Sequence, residues 1–241
     1  MILVLCEETD MAAVWAADRL RDRGLPIETL TGAELATTIR WEYRIGLSGI
    51  VFELDLADGR RFSREDSTGV LNRLSYLPSA WVQRVGGSDR DYALQEMYAF
   101  FLSWLHSLPG PLLNPPVPQG LCGNWRHPSA WTFLACQAGL PVQIYRQSSE
   151  DDPNSLWQFA SVPAAAAVFV VADQVIMPPE LPFQLAEPCR RLAVAAGSPL
   201  LGIDFTFGEN DGWRFGGASV MPDLIRGGDP LLDAMATVFA T

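Results

Sequence analysis

The chain has 241 residues, 49% hydrophobic and 10% aromatic, enough to bury the core of one large domain or two small ones, which excludes a disordered or low-complexity protein. Its 17 basic residues stand against 28 acidic ones, a net charge of −11. That balance lacks the basic footprint of a duplex nucleic-acid binder and disfavours an anionic membrane surface. All the basic residues are arginine; with no lysine in the sequence, no mechanism can use one.

In chain order, Ile2–Cys6 is a short apolar run that meets Glu7 and Glu8 without a basic flank, so it reads as a first strand, not a signal peptide. Met11–Asp22 carries Met11, Val14, Trp15 and Leu20 at helical spacing, Gly24 stands where a helix ends, and residues 27–30 form a second strand. Thr31 and Glu34 match a capping box for a short helix. Residues 40–62 are β-like, with alternation over 50–56 and a tight turn at Asp58-Gly59. Residues 70–74 form a further core strand, and Ser88 or Asp89 caps a helix over 92–105.

A proline-rich stretch, 109–118, contains the short strand Leu112-Leu113-Asn114 and marks the boundary between domains 1–118 and 119–241. Beyond it come a helix over Pro128–Ala138 stopped by Gly139, a strand over 142–146 and a polar, acidic loop over 148–155. A hairpin over 168–177 turns near Asp173, and a helix over 183–196 ends at Gly197. Residues 200–207, 213–215 and 218–220 make an antiparallel meander around Asn210-Asp211-Gly212, and 231–239 is a closing helix. No span is long and apolar enough for a bilayer. Cys6, Cys122, Cys136 and Cys189 lack metal or CxxC spacing and read as buried free thiols of a cytoplasmic protein, without structural disulfides. His127-Pro128 reads as a helix start and the paired glycines as turns. Trp125, Trp131 and Trp157 flank the proline-rich and acidic loops and read as core residues before they read as a peptide-binding surface.

The succession of segments resembles the RimK-like and peptide-modifying ATP-grasp ligases. The residues that carry it are the opening β-α-β unit, Gly69-Val-Leu-Asn-Arg-Leu74, Trp104-Leu105, Leu112-Leu-Asn-Pro-Pro116, Ala135-Cys-Gln-Ala-Gly-Leu-Pro-Val142, Pro199-Leu-Leu-Gly-Ile-Asp-Phe205 and Met221-Pro-Asp-Leu224. The resemblance implies an α/β, Rossmann-like pre-ATP-grasp domain followed by a reduced α+β ATP-grasp-like domain. In such ligases two lysines meet the nucleotide phosphates, while an acid and a Glu-x-Asn pair on the closing strands hold Mg²⁺. Here both lysines are absent, Arg126 falls near the position of the first, and the Glu-x-Asn pair falls near Gly217-Ala218-Ser219. Asp204 is the one carboxylate left for a metal.

The expectation is therefore a catalytically degenerate, shortened relative, a pseudoenzyme without cofactor. Its partner would be a peptide, a pathway intermediate, a protein subunit or a second copy, with Arg73, Asn114 and Arg126 as ligand-binding residues. Arg73 is a carboxylate or phosphate clamp or, alternatively, the partner of an acid such as Glu65 or Asp66. The competing expectation is an active carboxylate–amine ligase that uses ATP and Mg²⁺ with arginine in place of lysine.

Overall fold

The computed structural model describes residues 1–47, 49–78, 89–145, 164–208 and 212–240. By compactness the chain divides into unit 1, Met1–Asn124 with Leu232–Thr241, and unit 2, Trp125–Leu231. The division falls after Asn124 and not after residue 118, because Leu121 and Cys122 are buried with unit 1 and the Leu121 carbonyl accepts from Asn72 Nδ2 at 2.7 Å.

Unit 1 opens with β1 (Ile2–Cys6), α1 (Met11–Asp22) and β2 (Ile27–Thr31). β1 is buried along its whole length, as a central parallel strand covered on both faces must be. The buried face of α1 is Ala13, Ala16, Ala17 and Leu20, whereas Met11 is exposed. Leu20 is thus buried as expected and Val14 and Trp15 are half-buried, while three small alanines fill the rest of the face and let the backbone lie close to its neighbours. Asp10 caps α1, accepting from Ala13 N at 3.0 Å, and the Thr31–Glu34 capping box starts α2 (Gly32–Ala36). With β6 (Gly69–Asn72) and β7 (Leu112–Leu113), the parallel sheet has the order β2-β1-β6-β7. Gly110, at φ +79°, closes the approach to β7; a Cβ there would lie 1.9 Å from the Thr68 carbonyl oxygen.

A second, antiparallel sheet joins β3 (Arg40–Gly46), β4 (Gly49–Asp55) and β5 (Arg61–Ser63) in that order. It packs on α3 (Asp89–Ser107) through edge-to-face aromatic contacts of Trp41 with Phe100, Phe101 and Trp104, at centroid distances of 5.1, 5.1 and 4.8 Å. α3 begins three residues before the predicted 92, and Ser88 lies outside the described residues.

Unit 2 contains α4 (Pro128–Ala138), β8 (Ala166–Val171), β9 (Gln174–Ile176), α5 (Ala186–Ala196), β10 (Leu200–Gly208) and β11 (Gly212–Ser219). Its antiparallel sheet runs β11-β10-β8-β9. Trp131, Ala135, Cys189, Leu192 and Ala193 of the helices share one core with Val168, Val170, Leu201, Ile203 and Phe205 of the strands. Gly139 and Gly197 end α4 and α5 in the left-handed conformation, as predicted.

Three expectations change here. The predicted strand over 142–146 is a single bridge from Val142 to Phe215; Arg146 and the acidic loop lie outside the described residues, as do Trp157, Asn210 and Asp211. The two segments 213–215 and 218–220 are one strand, β11, with a register shift between Asp204 and Phe205 on its partner. The closing helix α6 (Leu224–Phe239) starts before Pro230 and is interrupted at Gly228. Among the described residues no helix is long and apolar enough to cross a membrane. All four cysteines are free, but Cys136 is exposed, not buried, because it sits on the outer side of α4.

Candidate functional site

In an open parallel sheet, the loops beyond the carboxyl ends of the strands meet where the strand order reverses, and ligands bind there. In unit 1 that place is the end of β1 and β6. Arg73 extends β6 by donating its backbone N–H to the Leu5 carbonyl at 2.7 Å. Its guanidinium forks onto Asp10, Nε to Oδ2 at 2.7 Å and Nη2 to Oδ1 at 3.1 Å. The side chains are 5% and 11% exposed. The partner of Arg73 is therefore Asp10 rather than Glu65 or Asp66. Asp66 accepts instead from Ser63, through its backbone N at 2.7 Å and its hydroxyl at 2.8 Å.

Asn72 donates its amide to the carbonyls of Asn114 and Leu121 at 2.9 and 2.7 Å and accepts from Leu74 N at 3.3 Å. Asn114 is fully buried, so its backbone oxygen serves as a staple between β6 and the loop after β7. Arg73 and Asn114 thus come to neighbouring strand ends, linked through Asn72.

Glu7, at the end of β1, completes this place and was not singled out in the sequence. Its Oε1 is buried and has no hydrogen-bond partner among the described residues. Burial pushes its carboxyl above the ordinary range, against a backbone hydrogen bond from Tyr76 and helped by Asp10 and Glu8. Gly32 makes room for it, since a Cβ there would stand 2.7 Å from Glu7 Oε2. Cys6 and Cys122 are also buried, and desolvation raises each thiol to about 11, so neither is a thiolate nucleophile at neutral pH. The end of the sheet therefore offers one paired guanidinium and one carboxyl with an unmet oxygen.

Unit 2 holds the other two predicted residues on separate elements. Arg126, just before α4, lies over the Trp131 ring with its guanidinium carbon 5.2 Å from the centroid. His127 caps α4, its Nδ1 accepting from Ser129 N at 3.3 Å, which is a structural role. Asp204 lies on β10 opposite Gly217 of β11 and accepts from Arg226 Nη1 at 3.0 Å. Arg226 was also unforeseen; it lies 22 residues from Asp204, and only the fold brings them together. Ser219 spends its hydroxyl oxygen on Met221 N at 3.0 Å.

No family model matches the chain, and no curated protein does. Solved structures do. The macrocyclase MdnC from Microcystis aeruginosa MRC, bound with precursor peptide MdnA, superposes with a TM-score of 0.72 at 14% identity over 99% of each chain. A Chryseobacterium gregarium RiPP-associated ATP-grasp ligase, in complex with ADP and a leader and core peptide, gives 0.69 at 12% identity over 99% of this chain and 96% of that one. The ATP-grasp ligase PsnB, complexed with a precursor variant, Mg and ADP, gives 0.64 at 15% identity over 100% and 98%. The fold is that of the RiPP-associated ATP-grasp ligases.

Among the described residues, the closing strands of this fold offer few oxygen ligands for a magnesium nucleotide. Mg²⁺ takes hard oxygen ligands in an octahedral set. β10 offers Asp204 alone, already bonded to Arg226, and β11 (Gly-Trp-Arg-Phe-Gly-Gly-Ala-Ser) has neither a carboxylate nor an amide side chain. Among the described residues no three His, Cys, Asp or Glu side chains gather as a metal site would require.

Proposed function

We propose that this chain is a peptide-binding protein on the ATP-grasp ligase fold that does not itself run a nucleotide-dependent ligation. The observation that carries the reading is the donor set. Not one lysine is available for phosphate, and β11 bears no oxygen-rich side chain opposite Asp204. The roughly four negative charges of ATP would enter a chain already at −11 without the cations that neutralise them. A peptide partner is supported by the similar structures, which are complexes with precursor, leader or core peptides. The division of labour in such a protein needs no chemistry of its own: it holds a peptide for another subunit to act on.

A second reading is an active carboxylate–amine ligase. Arg126 and Arg226 favour it, because each keeps a permanent positive charge and a planar fork of donors in unit 2. Under that reading Arg126 and Arg226 meet phosphate oxygens, and ATP and Mg²⁺ are required.

Titration calorimetry with ATP, with and without Mg²⁺, separates the two readings, together with a melting scan. A nucleotide at a hundredfold its Kd adds about 2.7 kcal/mol and raises Tm visibly. We expect no heat and no shift with nucleotide, and a shift with a precursor-type peptide. Magnesium-dependent binding in the micromolar range would overturn the non-catalytic reading.

A further inference from the structure

The two faces of the unit 2 sheet differ in kind. Leu201, Ile203 and Phe205 of β10 and Trp213, Phe215 and Ala218 of β11 pack in or against the core with the helices. By alternation, Asp204 and Thr206 of β10 and Arg214, Gly217 and Ser219 of β11 lie on the other face. Asp204 stands there between two residues with almost no side chain, Ala167 of β8 and Gly217 of β11. A Cβ on Gly217 would meet no atom within 4 Å, and its φ is not left-handed, so neither packing nor backbone demands a glycine. A glycine inside a strand often marks the close approach of a ligand.

Two arginines border this bare floor. Arg226 comes from α6, whose leading loop sits down on β10: a Cβ on Gly202 would lie 2.5 Å from Pro222 Cβ. Its Nη1 donates to Asp204 Oδ1 at 3.0 Å, and its other guanidinium donors meet no acceptor among the described residues. Both side chains are half-exposed. Arg214 stands toward the other end of the floor, opposite Thr206 and two pairs along the ladder from Asp204. That is on the order of 7 Å of strand.

We propose that this face seats a carboxylate of the bound peptide, forked by the Arg226 guanidinium, and that Asp204 holds the place until the ligand displaces it. The inference rests on the peptide-binding reading above and names the group that the peptide offers. A guanidinium grips a carboxylate best through two parallel bonds, and the single bond to Asp204 leaves that geometry open. The exchange is also balanced in charge. One carboxylate replaces another on Arg226, the displaced Asp204 turns to water, and Arg214 is the second cation for the second anion. A polyphosphate finds no such balance in a chain already at −11.

The test titrates the full chain with small probes at constant ionic strength and follows the backbone amide resonances of β11. N-acetylglutamate α-amide offers a side-chain carboxylate, N-acetylalanine a chain-end carboxylate, and N-acetylglutamine α-amide neither. The acids should shift the β11 amides where the neutral probe does not, and the tighter acid identifies which carboxylate of a peptide the face takes. Arg226→Gln should weaken that acid on the order of tenfold or more. Asp204→Asn should do the opposite and tighten it about two- to fivefold, because the internal competitor is gone. Asp22→Asn removes the same charge from an exposed site at the end of α1 and should change nothing. The same spectra report that each variant is folded. Acids that move no β11 amide, that bind Arg226→Gln as tightly as wild type, or that gain nothing from Asp204→Asn overturn the carboxylate site, while the peptide titration above still stands by itself. A magnesium-dependent ATP affinity that Asp204→Asn abolishes overturns both readings, since Asp204 is then a metal ligand.

Discussion

The two units each hold an arginine–aspartate pair at about the same distance, and the pairs do different work. In unit 1, Arg73 and Asp10 meet at 2.7 Å with almost no solvent, and Asp10 also caps α1. In unit 2, Arg226 and Asp204 meet at 3.0 Å with 42% and 45% of their side chains exposed. Buried charges are costly to leave alone, while exposed ones are readily taken over by water and salt. The first pair therefore ties β6 to the start of α1, and the second is free to exchange its partner for a ligand at little cost. Distance alone does not distinguish a structural pair from an available one; burial does.

The sharpest way to break this comparison is Arg73→Met, which strands the Asp10 carboxylate. It should cost about 3–5 kcal/mol in denaturant unfolding, and adding Asp10→Asn should recover much of that loss. A loss below about 1 kcal/mol would mean that Asp10 is not held as a buried charge. By contrast, Arg226→Ala should cost less than about 1 kcal/mol, and the difference should shrink in high salt. A large, salt-insensitive loss would make the second pair structural too.

Glu7→Gln gives the smallest effect and concerns pH. Burial raises the folded carboxyl above its ordinary 4.5, so the folded state holds this proton to higher pH than the unfolded state. Its contribution is therefore most favourable below 4.5 and declines as pH rises through the raised value. The variant should lack that decline and melt slightly above wild type at neutral pH. Parallel melting curves across the range would contradict the assignment.

Local signals in the sequence were enough for much of the fold. The helix Met11–Asp22, the Thr31–Glu34 box and Pro128–Ala138 with Gly139 are written in neighbouring residues, and they stand where the spacing puts them. Gly216-Gly217 misled because paired glycines read as a turn. In β11 they continue the strand, and a Cβ at Gly216 would come within 3.1 Å of Thr206 and 3.3 Å of the Asp204 carbonyl oxygen. The site was harder to read. Arg73 stands out in the sequence, but the acid it pairs with is 63 residues away, and nothing local distinguishes Asp10 from other acids except its place before α1. Glu7 stands out only through a buried oxygen, which composition and spacing cannot register.

The burial of three thiols also has a practical side. Desolvation holds Cys6 and Cys122 near 11 and Cys189 near 12, whereas Cys136 is open on α4. A maleimide dye or spin label should therefore go onto one position of the native protein without any engineered cysteine. Because no lysine side chain competes for amine-reactive reagents, a second colour can be directed to the chain's α-amino group. The protein thus carries its own orthogonal pair of attachment points.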